Sequence, residues 1–240
     1  MLKLKNTKLN AYFLTGSIVI AYFNISNIKT VFAEVGRSVT ESGWREIEFA
    51  DKKPNHFVKC GQDCIQIDSA SSVSMIRRSL KIDITEKKFL SWEWKLTVPP
   101  ASSDLEKKGQ DDRPLAIYIT FPFDEKNASI SERGIRPLVE LRYGKEAPGR
   151  VLSYVWASTT PIGEAVNSPF GGAQHKMIVK RNGVSELNIW LGESVDVVAD
   201  YKDSFGVEPK GVLEMLISSD TDDTRSVSRG FVRRILFSSR

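Results

Sequence analysis

The stretch FLSWEWKLTV, Phe89–Val98, alternates apolar and polar side chains almost without a break. In an extended strand successive side chains point to opposite faces. Leu90, Trp92, Trp94, Leu96 and Val98 therefore share one face, and Glu93 and Lys95 lie on the other. The remainder of the tryptophan face is apolar, which places Trp92 and Trp94 in a core rather than on an exposed sugar-stacking platform. The same period of two recurs in WREIEF (Trp44–Phe49), CIQID (Cys64–Asp68), SVSMIRRSLKI (Ser72–Ile82), LAIYITF (Leu115–Phe121), LVELRY (Leu138–Tyr143) and VLSYVWAS (Val151–Ser158). It continues in KMIVKR (Lys176–Arg181), ELNIWL (Glu186–Leu191), VLEMLIS (Val212–Ser218) and GFVRRILF (Gly230–Phe237). The RNG tripeptide at 181–183 reads as a hairpin turn. Short strands separated by turn signals predict an all-β chain, an antiparallel β-sandwich or jelly roll. One segment departs from the pattern. SVDVVADYKDSFG (Ser194–Gly206) has Val195, Val198 and Tyr201 at helical spacing, so one short helix is expected at about 195–205, capped by Ser194 and closed by Gly206.

The first 33 residues belong to a different signal. Lys3, Lys5 and Lys8 precede the apolar run AYFLTGSIVIAYF (Ala11–Phe23), and Val31 and Ala33 supply the small residues of a cleavage site. This is the layout of a secretory signal peptide. The competing reading is an uncleaved anchor, but Asn10, Asn24, Ser26 and Asn27 dilute both ends of the run. Residues 34–240 are then expected to form a single β-sandwich domain in the periplasm or outside the cell, without stable membrane insertion. The whole chain carries 34 basic and 30 acidic residues; the leader removes four lysines and no acid, leaving 30 of each. A neutral mature chain gives no compositional support to a nucleic-acid or anionic-membrane partner.

Cys60 and Cys64 flank GQD, a turn-forming tripeptide, and a disulfide is the default in an exported protein. A metal site using His56, Cys60 and Cys64 would need a helix, and the flanking residues alternate like strands.

Four blocks carry a family resemblance: LSWEWK (Leu90–Lys95), KKGQDDRPLAIYITF (Lys107–Phe121), LSYVWASTTPIG (Leu152–Gly163) and the segment from VDVVADYKDSFGVEP through LISSDTDDTRS (Val195–Ser226). In this order they resemble the bacterial family known as domain of unknown function 3047, from about Trp44 to Phe237. The resemblance implies an exported bacterial protein with a β-sandwich fold, and it implies no activity.

The candidate site residues fall into three sets. DTDDT, Asp220–Thr224, lacks the glycine and distal glutamate of an EF-hand loop. Asp220, Asp222 and Asp223 can still serve as turn caps, as ligands for calcium (the one candidate cofactor), or as direct acceptors of ligand hydroxyls. Asp111 and Asp112 end the long loop Pro99–Pro114 and are expected to join them along one acidic edge. Polar positions within apolar strands form the second set: Glu93 and Lys95, Tyr118 and Thr120, and Glu140 and Arg142, with Tyr154 and Trp156 sharing a face of their own strand. A solvated outer face explains them equally well. Of these and the acidic loop, Tyr118, Glu140, Arg142, Trp156, Asp111 and Asp112 are the expected ligand contacts. The third set is catalytic and thin. Glu93 and Glu140 are the candidate acid and base of a glycosidic mechanism, and a serine triad would have to use His56 or His175. No G-x-S-x-G elbow and no phosphate loop is present. The expectation is a non-catalytic binding protein for a glycan or other cell-envelope ligand. The alternatives are a glycan-active hydrolase or lyase and a structural protein of the envelope.

Overall fold

The computed structural model describes residues 39–80, 82–183 and 185–239, with residues 142 and 143 described by backbone alone. The expected export signal at 1–33 lies outside the described residues, as does the side chain of Arg142.

Twelve strands make two sheets. β1 (Arg45–Glu48), β4 (Val73–Ser79), β11 (Glu214–Asp220), β6 (Arg113–Phe121), β7 (Arg150–Trp156), β9 (Gly172–Arg181) and β8 (Ala165–Ser168) lie side by side in that order. β10 (Leu191–Asp196), β5 (Phe89–Val98), β12 (Val227–Ser238), β3 (Cys64–Ala70) and β2 (His56–Gly61) form the second sheet. Every pairing is antiparallel except β7 with β9, which run parallel. The fold is a β-sandwich. Two helices are described, α1 (Ile130–Tyr143) and α2 (Val197–Phe205).

The alternation that opened the sequence sets the core. Trp92 and Trp94 of β5 point between the sheets, onto Tyr154 and Trp156 of β7. Ring centroids lie 5.3 Å apart for Trp92–Tyr154 and 5.6 Å apart for Trp94–Trp156. Buried aromatics of this size each contribute on the order of 2–3 kcal/mol by apolar burial. Three of the four bring their polar atoms to partners at the edge of the layer, and Trp92 Nε1 stays buried without one among the described residues. Trp94 Nε1 donates to Glu193, Trp156 Nε1 to the Asn182 carbonyl, and Tyr154 OH to Asp200 of α2. Cys60 and Cys64 form a disulfide across the β2–β3 turn.

Three expectations need correction. Leu138–Tyr143 is not a strand but the end of α1. A capping box starts that helix: the Ser129 hydroxyl accepts from Glu132 N, and the Glu132 carboxylate accepts from Ser129 N. Six residues make fewer than two helical turns, too few for periodicity to separate strand from helix, and the cap decides between the two. RNG at 181–183 does not close a hairpin. Gly183 N donates to Ser158 O, and a Cβ at Gly183 would lie 2.7 Å from that oxygen. The glycine seats the chain against residue 158 as it crosses from one sheet to the other. Glu186–Trp190 is accordingly irregular, and the strand begins at Leu191. α2 occupies the expected place and closes at Gly206 in the left-handed conformation, but its cap is Asp196, which accepts from Val198 N and Ala199 N, rather than Ser194.

Candidate ligand-binding cavity

Strand alternation leaves the seven-stranded sheet a second face, turned away from the five-stranded sheet. Ala116, Tyr118, Val155, Met177 and Leu216 pack there with Leu105, which comes from the long loop before β6. At one end of this face the apolar surface gives way to a cavity of about 500 Å³. Its floor is polar: Arg113 and Tyr118 of β6, His175 of β9 and Asp220 of β11. Its rim holds Phe49, Lys52, Phe170, Asp222 and Asp223.

Arg113 is the centre. Its Nε donates to Tyr118 OH at 3.1 Å and its Nη1 to Asp111 Oδ2 at 3.0 Å, while Nη2 stands 3.6 Å from Asp220 Oδ2. Burial opposes its charge, but Tyr118, Asp220 and Asp111 more than offset this and hold the guanidinium protonated. Around it five carboxyl groups converge. Asp112 accepts from Asp223 N, Thr224 N and Thr224 Oγ1, and so folds the DTDDT loop back onto the start of β6. The loop rests on a buried hydroxyl network: Thr221 Oγ1 meets Ser69 Oγ at 2.7 Å, and Asn55 Nδ2 donates to Ser219 O at 2.7 Å. A bulge between Ser218 and Asp220 shifts the pairing with β6 and sets Asp220 opposite Arg113.

Two cations face this acidic group, and they do not neutralise it fully. Burial first, then the hydrogen bond and charge of Asp222 and the charge of Asp112, push the Asp220 carboxyl up to about 8, so it carries a proton at neutral pH. Asp222 moves the other way, because Asp220 and Lys52 both donate to it. Burial and the carboxylates of Asp222, Asp112 and Asp111 raise Asp223. His175 is neutral: burial and the nearby Arg113 charge take it down to about 3, and its Nε2 lies 2.8 Å from Ser153 Oγ. Two buried oxygens, Asp111 Oδ1 and Asp220 Oδ1, have no hydrogen-bond partner among the described residues. Leaving such a group unsatisfied costs about 1–3 kcal/mol, and Asp220 lines the cavity.

Asp112, Asp220 and Asp222 each bring one oxygen within 4.8 Å of the others, a spacing that fits a calcium ion; Asp223 is outside this trio. The fit is partial. Both Asp112 oxygens already accept from the loop, Lys52 holds Asp222, and the charged Arg113 stands beside Asp220.

The structure thus brings Asp111, Asp112, Asp220, Asp222, Asp223 and Tyr118 to one place. The other expected contacts lie elsewhere. Trp156 is enclosed in the inter-sheet core, so it offers no surface to a ligand. Glu140 sits on α1, bound to Arg136 at 2.8 Å. Glu93 lies on the outer face of the five-stranded sheet, where Arg233 and Arg234 hold it below the usual carboxylate range. Glu93 and Lys95 therefore share no face with Tyr118 and Thr120, and neither Glu93 nor Glu140 lines the cavity. Sequence reasoning missed Arg113, Lys52, Phe49, Phe170 and Ser153. The available signal was Arg113 itself, following two aspartates in DDR.

Two other surfaces were natural rivals. On the five-stranded sheet Trp190 and Phe231 form an aromatic pair, but Lys95 and Arg233 stack on the Trp190 ring at 4.9 and 3.9 Å and occupy it. A hollow of about 570 Å³ beside Trp44 and the disulfide has Asp63 as its one acidic lining residue.

The family model for proteins of unknown function named DUF3047 matches residues 42–236. The chain belongs to this family. No curated protein matches it. Among solved structures, this DUF3047 member resembles the xyloglucanase domain of NopAA, a type three effector from Sinorhizobium fredii, with 10% identity and a TM-score of 0.43 over 82% of this chain and 93% of that one. It also resembles the family 11 carbohydrate-binding module of the cellulosomal cellulase Lic26A-Cel5E of Clostridium thermocellum, with 8% identity and a TM-score of 0.37 over 82% and 87%. A third is a cellulase derived from Cel12A of Rhodothermus marinus, with 11% identity and a TM-score of 0.43 over 84% and 94%. Likenesses of this size assign no ligand to a DUF3047 chain, whose two-sheet architecture rests on its own strand pairings.

Proposed function

We propose that this protein binds a neutral, hydroxyl-rich ligand, a glycan of the cell envelope, in the cavity around Arg113. The observation that supports it most is the cavity lining itself, which brings the Arg113 guanidinium and the carboxyls of Asp220, Asp222 and Asp223 together with the exposed Phe170 ring. A sugar hydroxyl both donates and accepts, and this floor offers both roles. Arg113 donates; Asp220, Asp222 and Asp223 accept. Phe170, 66% exposed with Lys108 Nζ 5.0 Å from its ring centroid, and Phe49 stand on the rim and offer apolar surface to a pyranose. A neutral ligand suits the cavity better than calcium, because an ion would have to displace Lys52 from Asp222. In the same reading the chain is exported through residues 1–33 to the periplasm or beyond. N-terminal sequencing of the protein recovered from its host would then begin at Glu34, and recovery of an intact Met1 would oppose that step.

A hydrolase has one observation in its favour: Asp220 holds a proton beside an ionised Asp222. These two carboxyls hydrogen-bond each other. Bound to each other, they form one coupled pair rather than an acid and a nucleophile on either side of a scissile bond. Binding without turnover is the expected result. The test is a glycan array probed with the protein and with Phe170→Ala, an exposed position whose loss leaves the fold intact. Binding of one glycan class, weakened tenfold or more by Phe170→Ala and without release of reducing ends, supports the proposal. Binding indifferent to Phe170, or reducing ends released over time, opposes it.

A further inference from the structure

α1 is docked with its apolar face outward. At 100° per residue, Ile130, Gly134, Ile135, Pro137, Leu138 and Leu141 fall within an arc of roughly 160°, which Ser131 and Arg142 share. The four aliphatic side chains among them are 90%, 53%, 66% and 86% exposed, in the order Ile130, Ile135, Leu138 and Leu141. On the opposite arc, which also holds Val139, Glu132 and Arg136 tie the helix to the protein. Glu132 is buried against Arg150, whose Nε donates to it at 2.8 Å and whose Nη2 donates to Asn127 O at 3.0 Å. Arg136 donates to Glu140 and to the carbonyls of Lys145, Ala147 and Pro148, with its guanidinium over the Phe123 ring at 4.6 Å. A surface helix of a globular protein ordinarily does the reverse. Here ion pairs fix the helix and leave its apolar stripe uncovered.

We propose that α1 lies flat on a lipid bilayer, with Ile130, Ile135, Leu138 and Leu141 among the acyl chains. Fourteen residues span about 21 Å, too short to cross a hydrocarbon core of about 30 Å, so the helix lies in the plane of the interface. Stable protein interfaces draw about 20–30 residues from each side; this stripe supplies six, which is too little for a second copy and enough for insertion. The stripe is aliphatic, and the exposed cations Lys126, Arg133 and Lys145 border it at headgroup level. Glu125 and Glu146 are exposed as well, so attachment rests on apolar burial more than on charge. This reading is independent of what the cavity binds.

The test is hydrogen exchange across residues 130–143 in the full chain, with and without phosphatidylcholine or phosphatidylglycerol vesicles. The readout is confined to α1, so that any vesicle binding through the apolar run at 11–23 does not register. Exchange in α1 should slow at least tenfold with both lipids. In Ile135→Gln/Leu138→Gln/Leu141→Gln that slowing should vanish while the strands exchange as before. Three results would overturn the proposal: no slowing with vesicles, slowing with phosphatidylglycerol alone that salt abolishes, or slowing that rises with protein concentration without lipid, which would make a second copy the occupant.

Discussion

Glu132 and Asp220 are both buried carboxyls beside an arginine, and they sit in opposite protonation states. Glu132 has Arg150 largely to itself and also accepts from Ser129 N, so hydrogen bonding to its charged form outweighs burial and takes it down to about 2. Asp220 shares Arg113 with Asp111 and stands next to Asp222 and Asp112, so burial and like charge prevail and it goes up to about 8. The first arrangement is a staple: one carboxylate, one guanidinium, a helix held in place. The second gathers more carboxyls than its cations match, on the floor of an open cavity. Excess of that kind strains the fold unless something else meets it, which is the physical reason we propose the Arg113 cluster as a site and not the Arg150 pair.

The largest expected effect comes from removing the staple. Glu132→Ala leaves Arg150 part-buried without its carboxylate and breaks the capping box, and it should lower unfolding free energy by about 3 kcal/mol in urea titrations. A change below 1 kcal/mol would remove the contrast between the two clusters. Next comes pH. Asp220 binds its proton more tightly folded than unfolded, so the stability it contributes is fully present below about 4 and is lost as pH rises through about 8. Glu132 behaves inversely: its contribution is present above about 4.5 and is lost as pH falls through about 2. Melting curves at successive pH values should show Asp220→Asn flattening the upper limb and Glu132→Gln the lower one. A single variant that flattened both would show the clusters to be coupled. Asp220→Asn is itself expected to be mild in stability, within about 1 kcal/mol at pH 7, since an amide replaces a protonated carboxyl of the same shape. The smallest effect is expected from calcium. With Lys52 on Asp222, millimolar calcium should stabilise by less than about 1 kcal/mol, a rise of no more than about 2–4 °C. A larger rise that Asp222→Ala abolished would make the trio a metal site.

Much of the sandwich was legible because burial on one strand face writes itself as alternation. Trp92 and Trp94 fell where FLSWEWKLTV put them. The convergence of Asp111 and Asp112 with the DTDDT loop was also readable, as two acidic groups at turn ends of a sheet whose loops gather. The cavity's chemistry was less so. Alternation assigns Arg113 to the same face as Leu115 and Ile117, which is the core; the bulge at Ser218–Asp220 realigns the strand ends and brings the guanidinium to Tyr118 OH instead. The register steps two residues on β11 against three on β6, so the extra residue lies in the Arg113 segment, and Pro114 is the mark it leaves in the sequence. α1 was lost for another reason. Its S-x-x-E box at Ser129 and Glu132 was present, but its apolar residues face solvent, so LVELRY seemed to need a sheet to bury it. Trp156 was misjudged as a contact because an aromatic beside a tyrosine fits a core and a platform alike until the opposing sheet is known.

The measurement that bears most directly on the central claim is a nuclear magnetic resonance titration of the labelled protein with neutral oligosaccharides: glucan, xylan, mannan and chitin fragments, and peptidoglycan fragments. The account predicts saturable shifts from at least one of these, centred on Phe49, Arg113, Phe170 and His175, and weakened tenfold or more in Phe170→Ala. Shifts centred instead on Trp190 and Phe231 of the five-stranded sheet, or no saturable shift with any of the fragments, would contradict it.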